Sequence, residues 1–161
     1  MNIDRILDTC NRHGVNYLLI GGMNFLLRHQ GNMTYDLDLW IEDTDDNRLR
    51  TEQALSALDA EWGPTDTTWQ PVAQMPAGWL SRQSLFSLLS PHGAIDLFRS
   101  VRGLPDWQTC FQRAAREHFS PSIGYHAICD EDMLHSQLAL DPGLQKPDRV
   151  RTLRQVLGLP P

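Results

Sequence analysis

Asp36 and Asp38 stand two residues apart in the run Thr34-Tyr35-Asp36-Leu37-Asp38-Leu39-Trp40-Ile41. Side chains alternate faces along a strand, so both carboxylates project from one side, which Thr34 and Trp40 share. Tyr35, Leu37, Leu39 and Ile41 line the other side, the alternation of a half-buried strand. Two carboxylates this close repel each other unless a cation lies between them. A hard divalent ion such as magnesium, which takes oxygen ligands, suits the pair. A third acid, Asp96, stands between Ile95 and Leu97. Those neighbours face the opposite way in a strand, and a carboxylate so placed is costly to bury without a partner.

The elements around these acids can be read from spacing. Ile3, Ile6, Leu7 and Cys10 recur at helical intervals, and Gly14 marks the helix stop. Val15 to Ile20 is a short apolar run, expected as a central strand. Gly21-Gly22 follows, where missing Cβ atoms let the chain turn sharply and let a ligand approach closely. A helix over about Met23 to His29, closed by Gly31, aims its free N–H groups and positive end back at that turn. This makes an anion site. Asn24, one turn into the helix, is either a phosphate donor or an ordinary helix residue.

Further on, Glu42, Asp43, Asp45 and Asp46 read as the acidic first turn of a helix over about Asp46 to Asp59, or else as auxiliary metal ligands. Residues 61–80, with Pro64, Pro71 and Pro76 and with Trp62, Trp69 and Trp79, read as a long loop. It either covers the site and helps form an acceptor pocket, or packs its tryptophans onto the core. Arg82 to Ser90 and Ala94 to Phe98 form a hairpin around the turn Ser90-Pro91-His92-Gly93. A helix opens at Pro105-Asp106 with Trp107, Cys110, Phe111, Ala114 and Ala115 on its apolar stripe. Ile123 to Ile128 is the last strand. Asp130 is the expected cap of a helix over Glu131 to Leu140, and Pro147 opens a final helix with Val150, Leu153 and Leu157 inward. Arg149, Arg151 and Arg154 lie on that last helix, with Lys146 just before it. They suit a phosphate or an RNA backbone, or a solvated face.

Composition sets the frame. A chain of 161 residues with 41% apolar content is long enough for one domain with its own core. The net charge of −6 argues against broad nucleic-acid binding. No apolar run reaches the roughly 20 residues of a membrane helix. The start, MNIDRILDTC, lacks a signal peptide's basic and apolar regions, and three scattered cysteines fit a reducing compartment, so a cytoplasmic protein is expected. His-x-x-x-His, Cys-x-x-Cys, Gly-x-Ser-x-Gly and the P-loop pattern are all missing.

Gly21-Gly22, thirteen intervening residues, Asp36-Leu37-Asp38-Leu39 and the distant Ile95-Asp96-Leu97 together resemble the DNA polymerase beta-type nucleotidyltransferase superfamily. The tail adds Glu131-Asp132-Met133-Leu134, similar to a helix opening in small bacterial and toxin-like members. Two positions depart from the pattern: Asn32 replaces a common arginine, and Gln137 a common lysine.

The resemblance implies an α/β (α+β) fold, a small mixed sheet with helices packed mainly on one face. It spans one domain, with a core over about 1–128 and C-terminal helices over about 130–158. It further implies two magnesium ions on Asp36, Asp38 and Asp96, the catalytic acids. An NTP would lie against Gly21, Gly22, Asn24 and Thr34. The expected reaction moves an NMP to a hydroxyl of RNA, protein or a small molecule, with pyrophosphate release. A toxin–antitoxin role with a small helical partner protein follows by analogy. The alternative is a catalytically silent binding or regulatory member.

Overall fold

Leu37, Leu39 and Ile41 have almost no exposed surface, as their alternation demands. They belong to β2 (Asp36–Ile41) in a computed structural model that describes residues 1–31, 33–63 and 68–160. The other strands are β1 (Tyr17–Leu19), β3 (Glu61–Trp62), β4 (Gln70–Pro71), β5 (Leu85–Ser90), β6 (Gly93–Phe98), β7 (Ala115–Ser120) and β8 (Ile123–Ala127). They form one mixed sheet in the order β4-β3-β5-β6-β2-β1-β8-β7. The helices are α1 (Ile3–Arg12), α2 (Gly21–His29), α3 (Asp45–Ala57), α4 (Trp107–Gln112), α5 (Asp130–Leu138) and α6 (Pro147–Val156). The result is the mixed-sheet α+β architecture expected from the sequence, but with eight strands among the described residues and with helices on both faces rather than mainly on one, since both faces of β1 and β2 are apolar at their inner ends.

Two apolar cores follow from the two strand faces. On one face, Leu37, Leu39, Ile95 and Leu97 pack with Ile6 and Leu7 of α1 and Leu55 of α3. On the other, Leu18, Ile20 and Trp40 pack with Trp107 of α4, Met133 and Leu134 of α5 and Leu153 of α6. Trp40 is therefore buried as deeply as its neighbours, and β2 is covered on both faces at its far end. Only its Asp36–Asp38 end fits the half-buried reading.

Local chemistry explains the helix starts. Thr44 caps α3 by accepting from the Asn47 amide, and Asp45 and Asp46 fill its first turn. Asp43 is held by Arg99 at 2.8 and 2.9 Å and also pairs with Arg48. Glu42 accepts from the Asn16 side-chain amide at 2.7 Å, so the acid run is accounted for by a helix start, ion pairs and that hydrogen bond.

Several boundaries differ from expectation. The glycine pair is not a turn ahead of a helix: Gly21 and Gly22 are the first two residues of α2. At its other end the left-handed residue is Gln30, with φ 53°, rather than Gly31. Helix α4 stops at Gln112, and Ala115 opens β7 instead of extending an apolar stripe. Strand β7 was not foreseen, because Arg116, Glu117, His118 and Phe119 are all exposed at a sheet edge and show no alternation. Asp130 lies inside α5, whose cap position is Cys129. Its carboxylate instead takes His29 Nε2 at 2.8 Å and Arg28 at 3.2 Å, tying α5 to α2.

Segment 61–80 also carries more structure than a loop. Trp62 and Trp79 stack at 6.2 Å and both meet the Phe86 ring. Glu52 of α3 accepts the Gly78 and Leu80 amides, each at 2.9 Å. The tryptophan-packing alternative is the one observed for these two rings. Pro64, with the rest of 64–67, lies outside the described residues.

One ion pair fixes α5 against α4. Asp132 has no exposed surface, and both its oxygens accept from the Arg113 guanidinium. Removing one partner of such a pair leaves an uncompensated charge. Arg113→Ala is expected to destabilise the fold by about 3 kcal/mol, read from urea denaturation midpoints.

Candidate active site

The acids are brought together by strand register. Strands β2 and β6 run parallel with Asp38 opposite Asp96, and Asp36 lies two residues earlier on the same face. One carboxylate oxygen from each of the three lies within 4.8 Å of the others. Among the described residues this is the one group of three or more metal-ligating side chains. All three acids are half-buried.

The glycines are dictated by how near α2 comes to these acids. The Gly22 amide donates to Asp38 Oδ2 at 3.2 Å. Gly21 has φ 65°, where L side chains are strained, and a Cβ there would lie 2.0 Å from Asp38 Oδ2. A Cβ on Gly22 would lie 2.9 Å from Thr34 Oγ1. Thr34 in turn donates to Asp36 Oδ1. The glycine pair, Thr34 and the two aspartates therefore form one interlocked unit.

A cleft of about 710 Å³ opens beside it, lined by Gly22, Thr34, Asp36 and Asp38 on one wall and Lys146 and Arg149 on the other. Arg149 lies with its guanidinium carbon 5.2 Å above the Phe25 ring. Burial pulls its pKa down, and the charges of Asp38 and Asp36 oppose that. Of the other arginines on α6, Arg151 pairs with Asp148 and Arg154 donates to the Pro160 carbonyl. The sequence reading left Arg149 among three arginines of α6; the signal that separates it is that it precedes the inward Leu153 by four residues and so shares its face.

Asn24 stands apart from the cleft. Its side chain is buried and donates to the Ile128 carbonyl at 3.0 Å, clamping α2 to the end of β8. Gln137 is likewise structural, accepting the Lys146 amide at 3.2 Å and so fixing the start of α6. Asn32 lies outside the described residues.

Electrostatics shows what the triad lacks. The Asp38 carboxyl is pushed up to about 7, first by burial and next by the charge of Asp36. The Gly22 amide and Arg149 pull it down without offsetting this. A carboxylate so raised favours either a proton or a cation. Three converging carboxylates supply the oxygen donors that a magnesium or similar divalent ion takes. The residues fit such an ion.

Solved structures with this arrangement of elements are known. The chain superposes on a protein of Thermotoga maritima assigned as a nucleotidyltransferase, with TM-score 0.54 and 13% identity over 97% of this chain and 90% of that one. It also superposes on ANT(2'')-Ia in complex with adenylyl-2''-tobramycin, with TM-score 0.59, 13% identity and coverage of 97% and 87%. The solution structure of that antibiotic-resistance factor gives TM-score 0.61 at 13% identity, over 97% and 82% of the chains. The chain has the nucleotidyltransferase fold. No protein-family model and no curated protein matches the sequence. In this chain the β2 acids and the α2 glycines meet because β1 pairs with β2 and leads directly into α2.

Two outcomes test this geometry. Gly21→Ala forces Asp38 out of place, so the magnesium-dependent rise in melting temperature expected of the unaltered chain should be lost in this variant, read by differential scanning fluorimetry. The second concerns protons. The folded-state pKa of Asp38 lies above its ordinary value of 3.8, so the folded state holds more protons between the two and loses stability as pH rises through that window. In the metal-free protein, Asp38→Asn should therefore raise the melting temperature at pH 8 and leave it nearly unchanged at pH 4, by differential scanning fluorimetry.

Proposed function

We propose that the protein is a magnesium-dependent nucleotidyltransferase that moves an NMP from an NTP to a hydroxyl and releases pyrophosphate. The observation that carries this reading is the convergence of Asp36, Asp38 and Asp96 beside the glycine-started helix α2. Bound magnesium would sit on the three acids and neutralise charge on the α-phosphate and the leaving group. The chain's own residues do the rest. Asp36 and Asp38 hold the cation side of the triphosphate. The start of α2 faces its outer phosphates, with the positive end of the helix behind it. Thr34 fixes the rotamer of Asp36 through its hydroxyl, and Asp96 takes the acceptor's proton.

Arg149 and Lys146 supply the fixed positive charges of the cleft. Positive charge thus reaches the cleft from the start of α6. Asn24 contributes by holding α2 in place. The acceptor class comprises RNA, a protein side chain or a small molecule, as in the tobramycin adduct bound by ANT(2'')-Ia. A cytoplasmic toxin–antitoxin setting with a small helical partner is consistent with this reading by analogy alone.

Pyrophosphate release from magnesium-NTP in the presence of acceptor is expected to fall at least a thousandfold in Asp38→Ala, while Arg149→Ala should raise the NTP KM about tenfold. Isothermal titration runs beside the assay. NTP binding without turnover on any acceptor would instead identify a silent, nucleotide-binding member.

A further inference from the structure

The acidic triad has two flanks, and the cleft occupies only one of them. Gly22, Thr34 and Arg149 lie on that flank. On the other, β6 is followed by β5. Their register sets Leu85 opposite Phe98, Ser87 opposite Asp96 and Leu89 opposite Ala94. Residues directly opposite in an antiparallel pair share a face. Leu85, Ser87 and Leu89 therefore stand on the same side of the sheet as Asp96, with Ser87 level with it. This part of the sheet is open: Leu85 is 43% exposed and Leu89 49%. The core beneath α4, α5 and α6 reaches as far as Phe98 and takes in no residue of β5.

In an in-line displacement the incoming hydroxyl stands opposite the departing pyrophosphate. With the phosphates against Gly22 and Arg149, the hydroxyl arrives over β6 and β5. The chemistry of that surface selects among acceptors. A small molecule needs concave walls that enclose most of it, whereas two half-exposed leucines on a pleated sheet make one wall. A polynucleotide needs a row of cations. The six outward positions of β5 and β6 contain no lysine or arginine, one of them is an aspartate, and the whole chain carries −6. Two leucines on either side of a serine suit an extended polypeptide with apolar side chains flanking its hydroxyl.

We infer that the acceptor is a polypeptide hydroxyl, on a Ser, Thr or Tyr flanked by apolar residues, lying across Leu85 and Leu89. This rests on the nucleotidyl-transfer reading above. The hydroxyl oxygen bonds to the α-phosphorus of the NTP. The bond from that phosphorus to its bridging oxygen breaks, and the electron pair leaves with pyrophosphate. The hydroxyl proton passes to the Asp96 carboxylate and then to water. The product is a phosphodiester-linked NMP on the peptide.

The test offers α-labelled NTPs and magnesium with three acceptors in parallel: a degenerate peptide library of Ser, Thr and Tyr flanked by Leu, Val or Phe, total RNA, and a panel of aminoglycosides. Label is expected on the peptides. Leu85→Asp/Leu89→Asp should lower peptide kcat/KM at least tenfold, chiefly through KM, while magnesium-NTP affinity by isothermal titration stays within twofold. Should the aspartates disturb folding and NTP binding, Leu85→Ser/Leu89→Ser must show the same tenfold loss. Label on RNA or aminoglycoside in place of peptide would overturn the inference alone. So would peptide labelling indifferent to the leucines, whereas NTP binding with no acceptor labelled would overturn the nucleotidyl-transfer reading with it. Absence of magnesium-dependent NTP binding in the unaltered chain would overturn the nucleotidyl-transfer reading as well.

Discussion

Mutual repulsion among three carboxylates is the constraint around which this molecule is built. Asp36, Asp38 and Asp96 converge on one face of two parallel strands, where burial and like charge raise Asp38 to about 7. Such an arrangement persists only because everything around it is fixed. Apolar packing beneath β2 and β6 is nearly complete, with Leu37, Leu39, Ile95 and Leu97 at most 1% exposed. The cost of crowding the acids is carried by that core, and the partial relief comes from the Gly22 amide and Arg149. Energy spent on assembling a cation pocket is a common signature of function.

The same constraint accounts for the neighbouring residues. Gly21 carries no Cβ because Asp38 occupies that space. Phe25 supports Arg149 from below, and Leu153 anchors the helix that carries it. Asn24 and the Asp130 pair with Arg28 and His29 tie α2 to the β8–α5 junction. The cleft is thus bounded by elements from both ends of the chain, each held by a specific polar contact.

How much of this the sequence discloses depends on whether a contact is local. The Asp36–Asp38 pair and the β5–β6 hairpin are short-range patterns and are found close to where spacing puts them, with β5 starting at Leu85 rather than Arg82, while the glycine pair lies beside the acids but inside α2 rather than ahead of it. Asp96 was recognisable because Ile95 and Leu97 made its isolation conspicuous. Strand β7 left no trace, since an edge with both faces in water needs no alternation. Asn24 looked like a phosphate donor because its burial against Ile128, over a hundred positions later, is a tertiary fact. Asp130 was mistaken for a cap for the same reason: its partners sit on α2. Gln137 read as a lost cation, when its amide oxygen serves the start of α6.

Parallel pairing of β2 with β6 carries one more consequence, for how the molecule folds. Between these strands the chain passes through α3, the β3–β4 excursion and the outward arm of a hairpin. Their alignment is a non-local event with a substantial loop-closure cost. A slip by one residue would send Asp96 to the opposite face, among the leucines. Burying a charge there is prohibitive, so the acid itself penalises misalignment while the chain is still assembling. The residue proposed for proton transfer in the mature protein thereby also proofreads the sheet.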